Sequence, residues 1–197
     1  DKEILTKKQI TAAILSASLF AAAAPALAAD YNIDTRGAHA SVNFKVNHLG
    51  YSWVVGRFDT FAGDFSYDQA NPSAAKIAVT IDTKSVNSNH AERDKHLRSK
   101  DFLEVDKFPE AKFVSSKFES TDGQSGKLHG QFTLRGVTKD IVIDVTKVGE
   151  GQDPWGGYRA GFEGTTTITM KDYGIPMDLG PQSATVELEF HIEGIKK

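Results

Sequence analysis

Thr185-Val186-Glu187-Leu188-Glu189-Phe190-His191-Ile192-Glu193 is apolar at every second position and polar at the positions between. Successive side chains of an extended strand point to opposite faces. This stretch is therefore a strand with one dry side and one wet side. Four further stretches repeat the pattern. Val42, Phe44, Val46 and His48 alternate with Ser41, Asn43, Lys45 and Asn47, and Ile77, Val79 and Ile81 alternate with Lys76, Thr80 and Asp82. Leu128, Gly130, Phe132 and Leu134 face away from Lys127, His129, Gln131, Thr133 and Arg135, while Ile141, Ile143 and Val145 oppose Asp140, Asp144 and Thr146. Less regular strands are expected at residues 53–68, 111–120 and 158–171.

Between these runs lie Asp122-Gly123, Arg135-Gly136, Gly149-Glu150-Gly151 and Gly156-Gly157, the residues of tight turns. Long antiparallel strands with short links and one dry face bury that face by rolling up. The fold class is therefore all-β, an extended antiparallel barrel of about eight strands. The wet face of 185–193 carries Glu187, Glu189, His191 and Glu193 and cannot meet lipid. About eight strands also enclose too little space for a polar channel. The expected barrel is soluble and apolar inside.

One segment breaks the period of two. Residues 87–99 are dense in charge and read as a short helix near residues 89–98, capped by Ser88 or Asn89, with acids early and Arg98 late. An irregular apolar stretch with Phe102-Leu103 and Phe108-Pro109 follows.

The N-terminal residues differ from the rest. Lys2, Lys7 and Lys8 precede an uncharged run from Gln9 to Ala29, which contains Pro25 and ends at Ala26-Leu27-Ala28. A basic start, an apolar centre and a small-x-small end describe a cleavable export signal over residues 1–28, leaving residues 29–197 as one domain. After cleavage no stable membrane insertion is expected. The whole 197-residue chain carries a formal charge of −3, which excludes the basic surface that a nucleic-acid partner needs. It contains no cysteine, which excludes disulfides, thiolate metal sites and a thiol nucleophile.

Four ordered motifs carry a family likeness: His48-Leu49-Gly50-Tyr51-Ser52-Trp53, the run from Asn89 to Ser99, Phe132-Thr133-Leu134-Arg135-Gly136-Val137-Thr138-Lys139, and the run from Asp153 to Phe162. Together with the export signal they resemble the YceI-like family. The resemblance implies a lipocalin-like barrel and a periplasmic location. It also implies an isoprenoid lipid as partner, a polyisoprenoid or isoprenoid quinone held in the apolar interior without covalent attachment. A stress-response role fits the same likeness, and a homodimer is compatible with it.

The inward-phase residues Phe44, Val46, Val79, Ile81, Phe132, Leu134, Ile143, Phe162 and Ile168 are the candidate tail-binding wall, with Trp53 at its end. Gly130 and Gly164 stand at inward positions without a side chain, and Thr166 is inward but small, which leaves room for a ligand. Head-group candidates are His48, in phase at a strand end, His90 and Arg93. No nucleophile-and-base set, G-x-S-x-G, phosphate loop or dinucleotide fingerprint is present, so no catalytic residue is assigned. Two alternatives remain: a metal-assisted hydrolase built on His48, His90 and His96, or a stress-induced interaction protein whose barrel is filled by its own side chains.

Overall fold

Each alternating stretch becomes a wall of a closed barrel in the computed structural model, which describes residues 28–197. The segment read as an export signal lies outside the described residues except for its last alanine. The strands are β1 (Ala29–Ile33), β2 (Ser41–His48), β3 (Ser52–Phe58), β4 (Phe61–Tyr67), β5 (Lys76–Asp82), β6 (Val86–Asn87), β7 (Glu110–Glu119), β8 (Ser125–Leu134), β9 (Val137–Gln152), β10 (Tyr158–Thr169) and β11 (Thr185–Lys196). β1, β4, β5, β7, β8, β9, β10 and β11 pair in a ring that closes through β1 and β11.

The other three strands extend this ring at one end. β2 pairs with β11 through Lys45 and Glu187, β3 pairs with β2, and β6 pairs with β3. Three of the eight walls are therefore bent strands: β1 with β2, β3 with β4, and β5 with β6. The strand expected at 53–68 is one of them, broken at Asp59-Thr60. Ser85 holds that bend: its carbonyl accepts from the Asp59 N–H at 3.1 Å and its Oγ from the Thr60 N–H at 2.9 Å. β1 is short and was not expected. β9 continues through Gly149-Glu150-Gly151, which read as a turn, because those residues pair with Gly161, Ala160 and Arg159 of β10.

Register defines two ends. The β2–β3 turn lies beside the start of β11, where Lys45 faces Glu187. The β9–β10 turn lies beside its finish, where Arg159 faces Ile195. The dry faces meet inside, with Val42, Phe44, Phe58, Ile81, Phe113, Phe132, Ile168, Leu188 and Phe190 all buried. Removing this apolar surface from water, at about 25 cal/mol per Å², is the main force closing the barrel.

Inward glycines make room for aromatic rings more than for empty space. A Cβ on Gly130 would lie 2.5 Å from Cζ of Phe113 and 2.5 Å from the Val114 carbonyl, so the gap expected there is already occupied. Gly56 likewise sits under the Phe44 ring, opposite it in the β2–β3 register.

The helix α1 (Ala91–Arg98) forms where expected, but His90 caps it in place of Ser88 or Asn89. The Nδ1 of His90 accepts from the Arg93 N–H at 3.2 Å. Ser88 instead serves Asp94, whose Oδ1 accepts from both the Ser88 N–H at 2.7 Å and its hydroxyl at 2.5 Å. Four 3-10 turns were not foreseen: Pro72–Ala74, Thr83–Ser85, Met170–Tyr173 and Pro181–Ser183. No helix among the described residues is long and apolar enough to cross a membrane.

Candidate functional site

Two apolar chambers lie inside the barrel. The larger, about 320 Å³, lies at the end that carries the β2–β3 turn and α1. The smaller, about 90 Å³, lies toward the β9–β10 end, and Ile81 and Phe190 border both. A filled barrel would leave no such space. The larger chamber falls at the lower edge of the roughly 300–1,000 Å³ typical of ligand pockets.

Most wall residues read from the alternation surround these chambers. Phe44, Val46, Ile81, Phe132, Leu134 and Ile168 line the larger one; Val79, Ile81, Ile143 and Phe162 line the smaller. Trp53 lines neither. Gly56 and Phe58 face inward on β3, so strict alternation turns Trp53 outward, where it is half exposed beneath the Lys45 ammonium, 4.4 Å from the ring centroid. Thr166 spans a gap in the wall, its hydroxyl donating to the Val142 carbonyl at 2.8 Å.

Residues outside the regular strands complete the larger chamber. Leu97 of α1, Phe102 and Leu103 after it, and Met170, Ile175 and Leu179 before β11 all contribute. Phe102-Leu103 had stood out as an apolar stretch, but nothing in its spacing said which space it would enclose.

The mouth is polar. Asn47, His48, Arg93, His96 and Ser183 border the larger chamber beside Leu49 and Leu179. Arg93 is held in place, its Nε donating to Ser88 Oγ at 2.7 Å and its Nη2 to the Ser88 carbonyl at 2.5 Å. His96 lies 3.1 Å from Asp101 Oδ2 and stands edge-on to Phe102, with centroids 5.0 Å apart. Of the three head-group candidates, His48 and Arg93 reach the mouth. His90 does not, because its ring faces solvent and its Nδ1 is engaged in the helix cap.

His48, His90 and His96 do not converge, which leaves the metal-assisted alternative without its centre. Among the described residues, the ligand-type side chains brought within 4.8 Å of one another are Asp34, His39 and Glu193, at the far end of the barrel. Arg159 fills that space. Its Nη1 donates to Asp34 Oδ2 at 2.7 Å and to Glu193 Oε1 at 2.6 Å, and its Nε to Asp153 Oδ2 at 2.8 Å. These hydrogen bonds hold the Asp34 carboxyl down at about 2, Arg159 first and the Gly37 N–H next, against the opposing effect of burial. The atoms that would ligate a cation are already bound to a guanidinium, so the cluster is an ion-pair clamp.

Aromatic side chains crowd the far end. Tyr31 stacks on Phe65 at 4.8 Å, and Phe162 meets Phe65 and Tyr67 edge-on at 5.7 and 5.0 Å. Burial pushes the Tyr67 phenol up, the hydrogen bond and charge of Lys147 pulling the other way. Its hydroxyl donates to Gln69 Oε1 at 2.7 Å. Tyr67 and Phe162 border the small chamber. Aromatic rings thus crowd one end of the interior, and polar side chains rim the other.

Comparison with known proteins agrees with this architecture. The model of the YceI-like domain matches residues 31–194. A UPF0312 protein of Shewanella sp. (strain ANA-3) is 62% identical over 97% of this chain and 100% of its own length. A UPF0312 protein of Shewanella baltica (strain OS185) is 60% identical over the same shares. Among solved structures, the Campylobacter jejuni YCEI protein superposes with a TM-score of 0.70 at 32% identity, covering 77% of this chain and 90% of its own. A polyisoprenoid binding domain from Saccharophagus degradans gives a TM-score of 0.63 at 18% identity over 87% of this chain and 99% of its own, a likeness of fold.

Proposed function

Because the chain belongs to the YceI-like family, we propose that it is a periplasmic lipid-binding protein that sequesters, carries or stores a polyisoprenoid lipid of the ubiquinone type inside its barrel. The observation that carries this reading is the apolar interior, two chambers that share Ile81 and Phe190 as walls, the larger of them rimmed by polar side chains. Such a space suits a long hydrocarbon tail with one polar end. The shared fold of the Saccharophagus degradans polyisoprenoid binding domain supports the same ligand class.

Burying a tail contributes about 0.8 kcal/mol per methylene-sized group, so two isoprene units supply on the order of 8 kcal/mol before ordering costs. The tail would set affinity. His48 and Arg93, with imidazole and guanidinium donors at the mouth, would choose among head groups. Export rests on the residue 1–28 pattern, since a periplasmic carrier must cross the inner membrane.

Protein isolated from the periplasm of its native host, extracted with organic solvent and analysed by mass spectrometry, tests the reading. A prenyl lipid in molar proportion to protein is expected. Protein that carries none, and takes up none from a dispersed isoprenoid quinone, overturns it.

A further inference from the structure

The β2–β3 turn presents apolar side chains to water at the rim of the chamber. Leu49 is 48% exposed, Tyr51 85% and Trp53 50%. Leu179, across the mouth, is 38% exposed, and both it and Leu49 line the chamber as well. The apolar wall of the larger chamber thus continues onto the outer surface through Leu49 and Leu179.

This exposure is held in place by the backbone. Leu49 has φ 54 and Gly50 φ 85, so the turn runs through the left-handed region, where glycine and asparagine are usual and a leucine is strained. The strained turn is clamped from below by Ser183, which is 1% exposed. Its Oγ accepts from the Leu49 N–H at 3.2 Å and donates to the Asn47 carbonyl at 2.7 Å, while Asn47 Oδ1 accepts from the Gly50 N–H at 2.6 Å. A residue ill suited to the turn is kept there with its apolar side chain outward, which an asparagine would spare the fold.

We propose that this turn is a membrane-docking tip, which seats the mouth on the surface of a lipid bilayer. Leu49 and Tyr51 enter the interfacial layer with the Trp53 indole beside them, the level at which amphipathic aromatic rings settle. The inference rests on the lipid-carrying reading for its purpose: a cargo insoluble in water comes from a bilayer, and Leu49 and Leu179 give its tail an apolar path from bilayer to chamber. The β2–β3 turn itself offers no surplus charge, since Lys45 lies over Trp53 and pairs with Glu187 at 2.9 Å, and the Arg93 guanidinium inside the mouth is turned onto Ser88. Docking is therefore driven by apolar insertion, reversible and little affected by salt.

The two tryptophans lie at opposite ends of the barrel, so emission reports the orientation of docking. Trp53 stands beside the mouth, and Trp155 sits in the β9–β10 turn with Arg159 over its ring at 5.3 Å. The Trp155→Phe protein, titrated with vesicles of phosphatidylethanolamine and phosphatidylglycerol, should show a blue shift of Trp53 and quenching by brominated lipid. The Trp53→Phe protein should leave Trp155 unmoved. Leu49→Asn, which relieves the strained φ and so keeps the turn folded, and Tyr51→Ser, outside the chamber, should each weaken vesicle binding about tenfold, the loss of roughly one inserted side chain. High salt should change it little. Trp53 unmoved at saturating vesicles, or Trp155 moving in its place, overturns the inference. So does sedimentation showing that Leu49→Asn dissolves a dimer, which would make a second copy the occupant. Lipid content, read by mass spectrometry on the same samples, separates this outcome from failure of the lipid-carrying reading: loaded protein that does not dock defeats the tip alone.

Discussion

Arg159 Nη1 donates to Asp34 Oδ2 at 2.7 Å, joining residues 125 positions apart and tying β10 to the end of β1. Asp34 is 7% exposed, and Arg159 holds its carboxyl at about 2, below the ordinary carboxylate range near 3.8. A carboxyl depressed in the folded state stabilises the fold above its unfolded pKa, and that stability is lost as pH falls through the folded value. The full contribution, on the order of 2 kcal/mol, is thus present above about pH 4 and fades toward pH 2. Chemical denaturation of the protein and of Asp34→Asn should give curves that differ most near neutral pH and draw together as pH drops from 4 to 2. A constant difference across that window would remove Arg159–Asp34 as an acid-sensitive clamp.

The walls of the barrel were legible because alternation is a local property. Val186, Leu188, Phe190 and Ile192 declare their face without knowledge of any partner strand. The mouth was not legible. Leu97, Phe102, Met170 and Ile175 enclose the larger chamber from segments without a repeating period, so only the folded path reveals what they face. Trp53 shows that phase outweighs position: nearness to a turn suggested the chamber, whereas counting back from Phe58 through Gly56 turns it outward. His90 caps α1 and His96 lies within it, yet only His96 borders the chamber, since the orientation of α1 against the barrel is set by contacts distant in sequence. Gly130 read as open space because the sequence does not show that the Phe113 ring lies over it.

That packing carries its own consequence. Gly130→Ala brings a methyl within 2.5 Å of both the Phe113 ring and the Val114 carbonyl, and the carbonyl belongs to the neighbouring strand and cannot step aside. Overpacking of this kind costs about 1–3 kcal/mol. Gly164→Ala meets a single side-chain methyl, Ile143 Cγ2 at 2.9 Å, with backbone no nearer than 3.7 Å, so a smaller shift relieves it. Thermal denaturation should therefore place Gly130→Ala clearly below Gly164→Ala in stability.

Tyr173 is 2% exposed, packs edge-on to Phe132 at 5.7 Å, and its hydroxyl has no hydrogen-bond partner among the described residues. Burial pushes its phenol up to about 12. A buried hydroxyl left unpaired costs about 1–3 kcal/mol, so Tyr173→Phe should be neutral or stabilise the fold by up to about 1 kcal/mol. In a spectrophotometric titration of the native protein one tyrosine should resist ionisation until about pH 12, and that step should vanish in the variant. Destabilisation by Tyr173→Phe would mean that the hydroxyl has a partner after all.

Val46 lies half-buried on β2, lining the larger chamber close to the mouth, and it faces Val54 across the β2–β3 register. An indole at this position can enter the adjoining space instead of a packed core, so Val46→Trp should fold with little loss. Overpacking penalties of about 1–3 kcal/mol arise where no space exists, and a chamber of about 320 Å³ lies beside this side chain. The same indole would stand in the route of an entering tail. Lipid recovered per mole of folded protein should fall severalfold relative to the parent, while Trp155→Phe, in the β9–β10 turn at the opposite end of the barrel, should leave it unchanged. Equal loading in the parent and Val46→Trp proteins would place the tail elsewhere, because a chain that threads this mouth cannot pass a filled one.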